Sequence, residues 1–243
     1  MTGINEGAKE YELIRDGDVG VVLVHGFTAS PAHVRFVAED LFNAGYSVIA
    51  PLLPGHGTLE SELKYADGDK WFGAVSNAIR RMREYGKKRI FCMGHSLGGV
   101  LSLLSAENSL CDGVITVAAP IKIYNGIRVK LFTIFCKKKY HVMNKPDGSG
   151  LFRYYRADGI SIKHLTDTIS KTRSKLYKVK VPTLIIYSPE DKTVMPKSAD
   201  IIYDGIKSGV KDIFKINGGH HQCIIDGRRQ YIDTVCKFIA DNS

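Results

Sequence analysis

Cysteine is scarce, and it is not arranged for cross-linking. The 243 residues hold five, Cys92, Cys111, Cys136, Cys223 and Cys236, an odd and scattered set without a C-x-x-C pair. That pattern excludes a disulfide scaffold or zinc framework and leads us to expect reduced thiols in a cytoplasmic setting. No apolar run approaches the roughly 20 residues that span a bilayer. The opening "MTGINEGAKEYELIRDGD" has no basic segment leading into an apolar core, so no signal peptide is expected. The glycines at 26, 55 and 57 follow apolar runs without a G-x-G-x-x-G or Walker pattern, which leaves no nucleotide cofactor to expect. The histidines fall in no close pair on one helical face, so no metal is expected either. Internal repeats and low-complexity tracts are also lacking. Acidic residues are missing from one region only: 121–180 carries 15 Lys/Arg against 3 Asp/Glu, within a whole-chain charge of +9. A basic excess so confined, without a helix-turn-helix, finger or RNP pattern, argues against a nucleic-acid partner.

What the chain does have is alternation. "GVVLVHG" (20–26), "YSVIAP" (46–51), "RIFCM" (89–93), "DGVITVAAP" (112–120), "TLIIY" (183–187) and "KDIFK" (211–215) read as strands, those at 20–26, 89–93 and 112–120 as buried ones. Between them, "PAHVRFVAEDLFNAG", "DKWFGAVSNAIRRMREYG", "LGGVLSLLSAE" and "MPKSADIIYDGIKSG" read as helices, with a last one in "RRQYIDTVCKFIADN". Ser30 before Pro31 predicts an N-cap, and "KEYELIRDG" an edge strand or hairpin. The expected fold class is therefore α/β, a mostly parallel sheet with helices on both faces and functional groups at the carboxyl ends of the strands. The interval 121–170 breaks the alternation and is expected to be a small inserted cap. Residues 1–120 and 171–243 would then form the core.

The sharpest local feature is "GHSLGG" (94–99), which sets Ser96 between glycines where a strand gives way to a helix. A serine hydroxyl needs an adjacent base, oriented by a carboxylate, to act as a nucleophile. It must also stand clear of its own backbone on a sharp strand-to-helix turn, which crowds strand and helix and demands very small residues two before and two after. Gly94 and Gly98 meet that demand. In such a unit the acid and then the base follow the serine in chain order. "SPEDKTV" supplies Glu190 and Asp191 past one strand, and "NGGHHQ" supplies His220 and His221 past the next.

With "VLVHGFTASP" (22–31), "PLLPGHGT" (51–58) and "VPTLIIYSPEDKTVMPKSADIIYDGI" (181–206), these residues resemble the α/β-hydrolase superfamily. The likeness is greatest to its small bacterial carboxylesterase and monoacylglycerol-lipase group. It covers both halves of the predicted sheet and is weak over the cap. The resemblance implies an α/β-hydrolase fold with Ser96 as nucleophile, Asp191 as orienting acid and a loop histidine as base. It also implies an oxyanion hole from the backbone N–H groups of Leu97 and Phe27. An ungapped count from "KDI" puts the base at His221, with Asp226 five residues on, whereas His220 would complete a "GGH" at the cost of a gap. We take His221 as the base and His220, with Phe132 and Phe135 of the cap, as pocket residues.

His25 and His56 read as loop-holding rather than chemical, and His33, His141 and His164 as surface or satisfied positions. The cap run from Ile121 to Phe135 is densely apolar and ends at Lys137, Lys138 and Lys139. It reads as a plain cover over the pocket or, more specifically, as a lid making weak contact with anionic lipid. The implied activity is a serine carboxylesterase acting on small-molecule esters of short- to medium-chain acids. Monoacylglycerol, thioester and aryl-ester substrates stand as alternatives on the same triad. A non-enzymatic small-molecule binder stands as an alternative of another class.

Overall fold

Strands that are apolar at every position must be covered on both faces. The computed structural model describes residues 3–122, 129, 133, 139–143, 150–218 and 227–243. Among these, β1 (Tyr11–Leu13), β2 (Val19–Val24), β3 (Ser47–Ala50), β4 (Arg89–His95), β5 (Gly113–Val117), β8 (Thr183–Tyr187) and β9 (Lys211–Lys215) form one sheet, ordered β1-β3-β2-β4-β5-β8-β9. Every neighbouring pair is parallel except β1 with β3, at the edge. β6 (Tyr140–Val142) and β7 (Arg156–Asp158) make a separate antiparallel pair.

Successive residues on a strand point to opposite faces, and the core divides accordingly. Val22, Val24, Ile90, Cys92, Val114 and Ile185 pack with α2 (Gly68–Glu84), α3 (Leu97–Glu107), α4 (Gly159–Arg173) and α5 (Lys197–Gly205). Val21, Leu23, Phe91, Met93, Ile115 and Leu184 pack instead with α1 (Arg35–Asn43) and α6 (Arg228–Asp241). Each such side chain taken fully out of water contributes about 1.5–3 kcal/mol.

Two expectations change in detail. The helix expected from Pro31 begins as a 3-10 turn over Pro31–Val34, with Ser30 in the N-cap position as expected and its hydroxyl also donating to the Phe152 carbonyl at 2.9 Å. Within the interval expected to break the alternation lies α4, N-capped by Asp158, whose carboxylate accepts from the Ser161 N–H at 2.8 Å. It packs on α3 and α2 as the crossover between β5 and β8, and it runs through residue 170, where the core was expected to resume. Its buried residues are Gly159, Ser161, Ile162, Thr168, Ile169 and Thr172, only two of them large and apolar, so its sequence offers little apolar periodicity to read.

Register fixes where the loops emerge. Val24 pairs with Gly94, His95 with Val117 and Val117 with Ile186, so β2, β4, β5 and β8 end level with one another. The chain past each of these ends, at Gly26, Ser96, Ala118 and Ser188, is thereby delivered to one edge of the sheet.

Candidate active site

Ser96 occupies the turn from β4 into α3 with φ 53° and ψ −118°. A non-glycine residue held there costs on the order of 1–3 kcal/mol, so its surroundings must enforce it. They do so through backbone. The Ser96 N–H donates to the Val117 carbonyl at 2.9 Å, and the Ser96 carbonyl accepts from Gly99 at 2.9 Å and Val100 at 3.2 Å. The flanking glycines allow the close approach. A Cβ on Gly94 would overlap the Gly98 backbone, one on Gly98 would overlap the Val24 carbonyl, and one on Gly99 would lie 2.9 Å from Ala119 Cβ. All eleven residues of α3 are buried. Its serines satisfy themselves, Ser102 Oγ donating to Gly98 O and Ser105 Oγ to Leu101 O, each at 2.9 Å. The amides of Leu97 and Gly98, in the first turn, are among the donors an α-helix leaves unused and lie at its positive end.

The loop after β2 lies alongside: a Cβ on Gly26 would stand 3.4 Å from Ser96 Cβ. Two buried histidines hold this loop, as their sequence context led us to expect. His25 Nε2 accepts from the Leu53 N–H at 3.1 Å, so its Nδ1 carries the proton and donates to Gly26 O at 2.9 Å. In a trans peptide the C=O and N–H point oppositely, so fixing Gly26 O also fixes the direction of the Phe27 N–H. His56 Nε2 accepts from the Thr28 N–H at 3.1 Å while its Nδ1–H donates to Pro54 O at 3.2 Å. Burial pushes His25 well below the ordinary imidazole value, and the nearby His56 adds to this. Burial likewise lowers His56 to about 4. Both rings are therefore neutral at pH 7, as their bonding requires.

Of the two acidic candidates, Asp191 is buried and Glu190 exposed. Asp191 Oδ1 accepts from the backbone N–H groups of Thr193 at 2.7 Å and Val194 at 2.9 Å. His220, His221, Phe132 and Phe135 lie outside the described residues. The chain on either side of the histidine loop is nonetheless placed. Ile216 N–H donates to Tyr187 O at 2.9 Å, beside the Asp191 loop, and Asn217 and Gln230 exchange hydrogen bonds of 3.0 and 2.9 Å. Of the remaining histidines, His33 is buried and accepts from Arg153 Nε at 3.1 Å, His164 Nδ1 lies 3.0 Å from Ala66 O, and His141 is exposed.

Sequence reasoning missed Tyr154. It is buried, its N–H donates to Thr28 O at 2.8 Å, and its ring stacks on His56 at 6.2 Å. No local pattern marks it, since its partners lie about a hundred residues away.

Residues 21–221 match the alpha/beta hydrolase family, and the chain belongs to it. A thermostable monoacylglycerol lipase from Bacillus sp. (strain H-257) is 32% identical over 218 residues, covering 87% of this chain and 86% of the lipase. A carboxylesterase from Bacillus subtilis is 26% identical over 90% of each chain. Among solved structures, one from a study of the metagenome-derived lipolytic enzymes LipS and LipT superposes with a TM-score of 0.90 at 27% identity, covering 98% of this chain and 100% of the other.

Proposed function

We propose that this member of the alpha/beta hydrolase family is a serine carboxylesterase working through an acyl-enzyme. The observation that carries the reading is the backbone of Ser96, held at φ 53° at the head of a buried helix. Strain of that kind is kept where the surroundings over-determine it, and here it lifts one hydroxyl clear of strand and helix. Ser96 Oγ attacks the ester carbonyl as His221 takes its proton. The Leu97 and Phe27 amides receive the oxyanion, each donor contributing roughly 3–4 kcal/mol to its stabilisation. Asp191 orients the imidazole and stabilises its charge. The carbonyl–alkoxy bond breaks as His221 returns the proton to the departing alcohol. Water then attacks the acyl-Ser96 by the same sequence in reverse, releasing the acid and restoring the hydroxyl.

We read 121–158, the part of the expected cap interval that precedes α4, as the cap over this site and the rest of the chain as the core, and take short- to medium-chain acyl esters as substrates. Monoacylglycerol is the second reading, favoured by the Bacillus lipase at 32% identity. Tyr140, Val142 and Tyr155 are exposed beside Lys139 and Arg156, an apolar and cationic combination suited to weak contact with an anionic lipid surface. An acyl-length series of nitrophenyl esters run beside monoacylglycerols tests the reading. Turnover peaking at short to medium chains upholds it, preference for monoacylglycerol moves it to the second, and no turnover of any ester leaves a small-molecule binder. In the same assay His221→Ala abolishes turnover and His220→Ala does not; the reverse result would move the base to His220.

A further inference from the structure

Thr28 follows the expected oxyanion donor Phe27 and holds φ 64°, a left-handed conformation for a β-branched residue. Such a residue keeps its shape only if held from outside. Thr28 is held at both ends of its backbone: its N–H donates to His56 Nε2 at 3.1 Å and its C=O accepts from the Tyr154 N–H at 2.8 Å. Tyr154 also secures the other holder. Its ring stacks on His56 at an interplanar angle of 20°, and its hydroxyl accepts from the Thr58 N–H at 2.9 Å while donating to Gly55 O at 3.2 Å. Those last bonds bind the loop that carries His56. Burial pushes the phenol up from its ordinary value, so it stays protonated and able to donate. The neighbours of Tyr154 strengthen the same junction: Ser30 Oγ donates to Phe152 O at 2.9 Å, and Arg153 Nε donates to His33 Nε2 at 3.1 Å.

We infer that Tyr154 is a positioning residue for the oxyanion hole. It clamps Thr28 directly and through His56, so that the Phe27 amide stands ready before the tetrahedral intermediate forms. The segment 152–154, inside the interval read as the cap, thereby sets the geometry of an amide it does not itself contain. This inference rests on the esterase reading above.

The test compares an ester with its thionoester, whose C=S is a poor partner for an oxyanion hole. Loss of that hole lowers the rate on the ester more than on the thionoester. Tyr154→Phe removes the hydroxyl bonds and keeps the ring. We expect kcat on the ester to fall about tenfold, KM to stay within about twofold, and the ester-to-thionoester rate ratio to fall by nearly the same factor as kcat. His56→Leu, which removes the acceptor for Thr28, must lower the ratio too, and His56→Gln, which offers a new one, must restore part of it. Val235→Ala, a buried site on the other face of the sheet, must lower the unfolding temperature without moving the ratio. An unchanged ratio in both Tyr154→Phe and His56→Leu overturns the inference, as does an equal shift in Val235→Ala. Failure of the wild-type protein to turn over any ester would instead remove the esterase reading on which it rests.

Discussion

The two sides of the candidate oxyanion hole are built in different ways. On the elbow side, Ser96 and Leu97 are fixed by backbone and by the absence of side chains at Gly94, Gly98 and Gly99. On the loop side, Phe27 and Thr28 are fixed by hydrogen bonds: from the His25 side chain just past β2, from the His56 side chain in the segment after β3, and from the backbone N–H of Tyr154 beyond residue 150. One side is a steric solution written in consecutive residues. The other is a hydrogen-bonded assembly drawn from three parts of the chain. The first should fail abruptly when crowded, and the second should weaken by degrees and respond to pH.

The largest effect is expected at Asp191, the carboxylate proposed to orient the base. Asp191→Asn keeps the shape of the side chain and removes its charge, and kcat should fall by about 10⁴. A fall of less than tenfold would argue that another residue orients the base. Next comes crowding of the elbow. Gly98→Ala would place a methyl group inside the Val24 carbonyl, so the folded state should lose more than about 4 kcal/mol or fail to accumulate, read by denaturant unfolding. A variant as stable as wild type would show that the elbow is less tightly packed than described.

The loop side supplies a pH effect of intermediate size. His56 is lowered from 6.5 to about 4 by burial, so in acid the unfolded chain binds a proton that the native state refuses. The cost is absent well above pH 6.5, grows as pH falls through that value and levels off near pH 4, where native His56 also protonates. The full difference is about 3 kcal/mol. His56→Gln, which does not titrate, should flatten the fall in stability between pH 6.5 and 4, apart from the share of His25. If the variant and wild type trace parallel curves, the buried neutral ring is not the source of acid sensitivity.

The same contrast decides what could be read from sequence. The elbow was legible because its requirement is steric and local: a strand, glycines two before and two after a serine, and a helix. The sheet was legible for a related reason, since doubly covered strands such as "GVVLVHG" and "GVITV" must be apolar throughout. Asp191 is favoured over Glu190 by resemblance alone, and burial with two backbone donors, which sets Asp191 apart from the exposed Glu190, is visible only in the fold. Tyr154 was not legible, because its partners are backbone atoms at residues 28, 55 and 58, and a backbone amide at one position reads like any other. α4 was missed for a similar cause: its fit to α2 and α3 is a property of the assembled layer, and its own sequence is only faintly periodic.

Both sides of the hole matter only if Ser96 is the nucleophile. The most direct measurement is the mass and position of the adduct left by a fluorophosphonate probe. One phosphonyl group per wild-type chain is expected, on the peptide containing Ser96, and none in Ser96→Ala. A wild-type protein that takes up no probe, or labelling that persists undiminished in Ser96→Ala, would contradict it.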